Sequence, residues 1–339
     1  MRALKDNMDK TICLVTGGAG FIGSYLGEAL IRQGKRVIAI DDFSTGHVRN
    51  LDNLLRHPDF QFLKSDINLP INLDEFPELE SFKVKYLGVQ EIYHLAMPTS
   101  VTEYEKFKLH TLNTNSVGTI NVMELARKYK AKVVYTSAGT VYGARKDADG
   151  VDEGEFGVLD HLNPRAALNE GKRFGETICT TYQDVFGLDI KIARIFRTYG
   201  PRMPLFHGHQ IADFVLHALD NEPIRVFGDK DTTTALTYVA DIVDGLLRLM
   251  QEEKGFGAVN LGSDHEEKIS EVARMVMEFC GAQVPIIYQP AHEHLVPLPI
   301  PNLTKAKEQL GWLPLVRLSD GLKQTVDYVR ANKLLLTAV

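Results

Sequence analysis

At 339 residues and 44% hydrophobic content, the chain can bury a large core, in one big domain or in two that share it. A formal charge of −6 and the lack of a Lys/Arg cluster interleaved with aromatics argue against nucleic acid as a partner. The polar start MRALKDNMDK and a first apolar run of only a few residues argue against a signal peptide or membrane span, and Cys13, Cys179 and Cys280 lack any CxxC pairing, so a soluble cytoplasmic protein with reduced thiols is expected.

The stretch from Thr11 to Asp42 sets the pattern. An apolar run from Ile12 to Val15 leads into a glycine cluster, a helical pattern, and a second strand from Arg36 to Ile40 closed by acids, which predicts strand, phosphate turn, helix and strand. Gly17 lets the chain turn off the first strand, Gly20 lets amides approach a pyrophosphate, and Gly23 lets the helix press against the sheet, with the helix N-terminus facing the phosphates. Asp41, about 20 residues past the glycines, can accept both adenosine ribose hydroxyls and would repel a 2′-phosphate, which favours NAD over NADP. The plainer alternative is that Asp41 and Asp42 only cap the next turn.

A polar turn and short helix from Phe43 to Arg56 precede a third strand, Phe60 to Leu63. Asp66, just past it, is placed to bond an adenine amine or to cap a helix. Residues 68–88 carry little periodic signal. Glu91 to Ala96 is a fourth strand with His94 as a core residue, Val101 to Lys130 a long amphipathic helix, and Lys132 to Ser137 a fifth strand. A second helix, Arg165 to Phe186, and a sixth strand, Ile190 to Phe196, continue the alternation. An α/β fold follows: a Rossmann-type doubly wound parallel sheet over residues 1–200. Beyond Gly200 the parallel rhythm fades, and helices at Gln210 to Asp220 and Val239 to Gln251 alternate with short strands. Residues 201–339 are expected to be mainly a smaller α/β substrate-binding region, with some segments returning to the first domain and a closing helix at Ser319 to Arg330.

Seven motifs occur in this order: TGGAGFIG (16–23), YHLA (93–96), NTNSVGT (113–119), VYG (141–143), RIF (194–196), YGPRM (199–203) and KAKEQLGW (305–312). Together they resemble, over nearly the whole chain, the extended short-chain dehydrogenase/reductase family of nucleotide-sugar epimerases, dehydratases and decarboxylases, with the UDP-glucuronate decarboxylases the most similar branch. The resemblance implies NAD held tightly and used transiently, with a nucleotide sugar as substrate. It also implies cofactor contacts from Phe21, Ile22, Asp66, Ile67, Leu95, Ala96 and Asn115, a substrate contact from Thr99, and a homodimer built through the two long helices.

The active centre departs from that family's pattern. Its Tyr-x-x-x-Lys pair reads Leu168 to Lys172: Lys172 can still bond the nicotinamide ribose, but Leu168 can neither give nor take a proton. Ala138 replaces the family's Ser or Thr, and Thr140 stands where dehydratases and decarboxylases carry an acid. Arg197 replaces an Asn that touches substrate, Thr234 replaces an Arg that holds the diphosphate, and a second basic residue is missing near Pro299. The gain of Arg197 suggests a differently placed anion; pairing with a nearby carboxylate is the alternative. Glu103, Tyr104, His207 and His292 are candidate replacements for the missing proton groups, and His207/His209 and His292/His294 have His-x-His spacing, although no metal centre is expected. Two functions stay open: an enzyme with relocated acid–base chemistry, or a silent NAD-binding protein with a structural or sensory role.

Overall fold

The computed structural model describes residues 10–99, 104–144, 150–205, 209–291 and 298–337. Its centre is a seven-stranded sheet. In chain order its strands are β1 (Ile12–Thr16), β2 (Arg36–Asp41), β3 (Phe60–Lys64), β4 (Glu91–His94), β5 (Lys132–Ala138), β6 (Ile190–Ile195) and β8 (Ala258–Leu261), with β7 (Ile224–Phe227) lying outside it. Across the sheet the order is β8-β6-β5-β4-β1-β2-β3, and every pairing in it is parallel. The strands of such a sheet are covered on both faces, which is why β1 reads as an unbroken apolar run. Its residues alternate: Cys13 and Val15 pack with α1 (Phe21–Arg32), whereas Ile12 and Leu14 face the opposite helical layer.

That opposite layer holds the expected long helices, one of which is interrupted. α2 (Tyr104–Asn113) and α3 (Thr119–Tyr129) are separated by a π turn at Thr114–Gly118, a feature periodicity does not reveal because the apolar stripe continues through it. α4 (Ala166–Phe186) lies alongside, with Ile178 and Cys179 in the core. Beyond Tyr199, α5 (Gln210–Leu219), α6 (Val239–Gln251), α7 (Ile269–Cys280) and α8 (Leu318–Thr337) follow. β7 pairs with β9 (Ile286–Gln289), and Phe214, Val226, Val272 and Leu322 share a separate core. Among the elements that escape the sequence reading are α7 and β8, whose four residues are too short to announce a strand but extend the central sheet by pairing with β6.

A buried polar chain fixes the centre. Thr16 Oγ1 lies 2.7 Å from His94 Nδ1, and His94 Nε2 lies 3.1 Å from Thr119 Oγ1. Thr119 donates to the Thr114 carbonyl at 3.1 Å, and Thr16 Oγ1 accepts the Leu95 and Ala96 amides. These roles assign one tautomer: Thr16 donates to Nδ1 and Nε2–H donates to Thr119. Burial, with the Lys172 charge as a lesser cause, lowers the His94 pKa to about 3, so the ring stays neutral. Between the ordinary value of 6.5 and about 3, the unfolded chain takes up a proton that the folded chain refuses, so this residue's contribution falls as pH falls through that window. His94→Leu should therefore destabilise the protein by about 1–3 kcal/mol at neutral pH and remove part of its acid sensitivity. Denaturant unfolding at neutral pH and near pH 5 checks both; an unchanged midpoint would contradict this role.

Candidate active site

The strand order reverses between β1 and β4, and the crevice this opens at the carboxyl ends of the strands is the place for a ligand in an open α/β sheet. A cleft of about 440 Å³ lies there. On one side it is floored by the glycine turn. Gly17 has φ +71°, and a Cβ on it would meet the Ala96 backbone at 2.8 Å. A Cβ on Gly23 would stand 2.1 Å from the Gly17 carbonyl, so Gly23 brings the helix against the turn rather than against the sheet as the sequence suggested. Gly20 caps α1 with no side chain over its first-turn amides, which leaves them facing the cleft beside Phe21 and Ile22.

Asp41 lies deep in the same cleft. Its Oδ2 accepts the Ala19 amide at 3.0 Å and its Oδ1 the Phe43 amide at 2.9 Å, so it does cap the turn, while each oxygen keeps lone-pair capacity for a ribose hydroxyl. Burial raises its pKa and the backbone donors oppose that rise. Further along, Asp42 pairs with His110 at 3.0 Å, and Asp66 accepts the Asn68 amide at 2.8 Å. Ile67, Leu95, Ala96 and Thr99 line the cleft, but Asn115 does not: it sits one layer behind, donating to the Thr111 carbonyl and packing against Gly171.

The other wall is built by β5 and α4. Leu168, 7% exposed, and Lys172, 4% exposed, lie one helical turn apart on the cleft side. Lys172 Nζ donates to the Thr136 carbonyl at 2.6 Å and stands 5.0 Å from the centre of the Tyr135 ring. Burial lowers its pKa from 10.5 to about 7, against the weaker pull of Cys179 and Glu176. Ala138 and Thr140 follow on β5 and the turn after it; Thr140 Oγ1 and its neighbour Ser137 Oγ are buried without partners. α4 is fixed in position by Arg194, which grips Glu176 through two bonds of 2.9 and 2.8 Å and also donates to the Tyr142 hydroxyl at 2.8 Å. The RIF and VYG motifs thus contribute an anchor for the helix that carries Lys172.

Past β6, Arg197 and Thr234 line both this cleft and a second chamber of about 430 Å³. The alternative of a carboxylate partner for Arg197 does not hold among the described residues, where its guanidinium has no hydrogen bond or ion pair. Glu103, His207 and His292 lie outside the described residues; Tyr104 opens α2, but its side chain lies outside them too. Ser137 and Gln210, which line the cleft, went unnoticed in the sequence. Ser137 adjoins Ala138 and could have been found by asking what else β5 offers; Gln210 had no signal beyond following His207 and His209.

The model of the NAD dependent epimerase/dehydratase family matches residues 13–262. UDP-glucuronic acid decarboxylase 4 of Arabidopsis thaliana is 38% identical over 317 residues, 94% of this chain and 68% of that protein. UDP-glucuronic acid decarboxylase 1 of Xenopus tropicalis is 35% identical over 322 residues, 95% and 73% respectively. The chain belongs to the NAD dependent epimerase/dehydratase family. Solved members are similar throughout. UDP-glucose 4-epimerase of Thermotoga maritima, with UDP-glucose, superposes with a TM-score of 0.84 at 28% identity, covering 95% of this chain and all (100%) of that one. UDP-glucuronic acid 4-epimerase of Bacillus cereus, in complex with UDP-glucuronic acid and NAD, gives 0.78 at 26%, covering 95% and 99%.

The family's cofactor fits what is present. The open cradle over Gly17 and Gly20, the uncapped first turn of α1 and the buried Asp41 carboxylate suit a pyrophosphate and a ribose diol in sequence along the cleft. Asp41→Ala should weaken NAD roughly tenfold to a hundredfold, by removing hydrogen bonds to a charged acceptor, and narrow the preference against NADP. Titration calorimetry with both dinucleotides measures this; equal NAD affinity in wild type and variant would mean that the carboxylate only caps its turn.

Proposed function

We propose that this protein is an NAD-dependent enzyme that transiently oxidises a nucleotide sugar or a related anionic metabolite, with Lys172 rather than a tyrosine handling the proton. The observation that carries this reading is the pair of chambers: they share Phe196, Arg197, Gln210, Thr234, Ile269 and Leu298 in their walls, so a dinucleotide and a second molecule have contiguous room. NAD, when bound, accepts a hydride from a substrate carbon and can return it. At neutral pH Lys172, with its pKa near 7, is divided between amine and ammonium, so Nζ can take the hydroxyl proton as the carbon is oxidised and give it back on reduction. Leu168 beside it keeps water from the same face. That relatives carry the name UDP-glucuronic acid decarboxylase, and that a similar epimerase binds UDP-glucuronic acid, supports an anionic sugar as the substrate class.

The silent NAD-binding alternative is favoured by Leu168, Ala138 and Thr140 together. Against it, Ser137, Thr140, Gln210 and Thr234 keep buried polar atoms unpaired around the cleft, an arrangement that lowers stability and that a mere scaffold does not require. Absorbance in the NADH band, with product analysis, over UDP-glucuronate, UDP-glucose, their epimers and free sugar acids decides between the two. Turnover is expected for at least one anionic sugar, falling roughly 10²–10⁴-fold in Lys172→Met. Leu168→Tyr with Ala138→Ser should gain no activity on UDP-sugars. NADH formation by that double variant alone would favour the silent relative.

We also propose a homodimer. Leu109, Leu112, Val117 and Ile120 run as an exposed apolar stripe along α2, the π turn and α3, and Phe174, Val185 and Phe186 are exposed on the adjacent α4. Two such helix pairs would bury these side chains against each other. Light scattering should give twice the chain mass at micromolar concentration; a monomer mass would contradict it. Unpaired Cys13, Cys179 and Cys280 support a reducing, cytoplasmic setting; among the described residues no helix is long and apolar enough to cross a membrane.

A further inference from the structure

The wall shared by the two chambers holds polar groups without partners. Arg197 lines both chambers, is exposed, and has no hydrogen bond or ion pair among the described residues. Thr234 Oγ1 and Gln210 Oε1 are buried in the same shared wall without a partner. These two buried oxygens lower stability until something pairs with them, and Arg197 beside them is a solvated charge open to an anion. A guanidinium beside a hydroxyl and an amide oxygen matches one oxyanion with an adjacent alcohol: the fork of Arg197 and the Thr234 hydroxyl donate to the anion, and Gln210 accepts from the alcohol.

The outer chamber restricts the anion's charge. Its other charged lining side chains, among the described residues, are the carboxylates of Asp229, Asp231 and Glu266. Asp231 is paired with Lys268 at 2.9 Å, and Asp229 accepts the Asp231 amide at 2.9 Å, so these groups are held in place. A diphosphate passing Arg197 into this chamber would set two or more negative charges near Asp229 and Glu266, with Asp231 already paired to Lys268 and Arg197 the one cation among the described lining residues. A lone carboxylate would not.

We propose that Arg197, with Thr234 and Gln210, binds the carboxylate and neighbouring hydroxyl of a free sugar acid, and that this acid enters without a nucleoside diphosphate. The inference rests on the reading of the cleft as a substrate site and selects, within it, the anionic metabolite over the nucleotide sugar. Calorimetry on the NAD-loaded protein tests it with glucuronate and galacturonate as probes and UDP and glucose 1-phosphate as competing anions. At least one uronate should bind, at least tenfold more tightly than UDP or glucose 1-phosphate. Arg197→Met should weaken it tenfold or more, and Arg197→Lys should restore part of the loss. Unchanged NAD affinity in both variants reports that they are folded. Failure of both uronates to bind, tighter binding of UDP or glucose 1-phosphate, or equal uronate affinity in Arg197→Met would each overturn the proposal. Because binding is read without turnover, an inactive protein that still holds a uronate through Arg197 would defeat the catalytic reading and leave this one standing.

Discussion

The reversal of strand order between β1 and β4 is the constraint on which the rest depends. Parallel strands whose connections depart in opposite directions cannot be covered at their carboxyl ends at that point, so the sheet itself opens the crevice. The Thr16–His94–Thr119 chain holds the gap at its base: it ties β1 to β4 and β4 to the start of α3, with every polar atom satisfied. The π turn belongs to the same solution, because Thr119 donates to the carbonyl five residues back, at Thr114, while its oxygen receives His94. A regular helix would have placed that hydroxyl elsewhere.

Around this base the motif residues divide into two kinds. Arg194, Tyr142 and Arg202 are scaffold. Arg194 binds α4 to β6 through Glu176, and Arg202 bonds Glu28 at 2.5 Å and lies 4.7 Å from the centre of the Tyr25 ring, holding α1 against the later half of the chain. The chemistry falls to residues outside such anchors. Lys172 keeps its place because Tyr135 and the Thr136 carbonyl receive it, whether or not a phenol stands one turn away. The cofactor cradle and the proton machinery can therefore diverge independently, and this chain retains the first while altering the second.

The legibility of the sequence follows the same division. Continuous apolar strands, glycines with steric duties and the acid ending β2 leave local signals, and the first six strands and the cleft around Gly17, Asp41 and Lys172 could be read from them. β8 could not, since four residues that pair only with β6 carry no period of their own. Neither could the isolation of Arg197 or the unpaired Gln210 and Thr234: those are facts about what surrounds a side chain, brought together from β6, α5 and the loop after β7 by the fold alone. For Asn115 the motif identifies the helix, while its side-chain partners, the Thr111 carbonyl and the sulfur of the cleft residue Met97, are set by the fold.

The proposed function requires one extended dinucleotide lying across the switch point, with its reactive end at Lys172. A crystal structure of the protein with NAD tests this most directly. The pyrophosphate should lie over the first turn of α1, the adenosine ribose on Asp41, and the nicotinamide ribose within hydrogen-bond distance of Lys172 Nζ. A dinucleotide bound elsewhere, or one whose nicotinamide half turns away from Lys172, would contradict it.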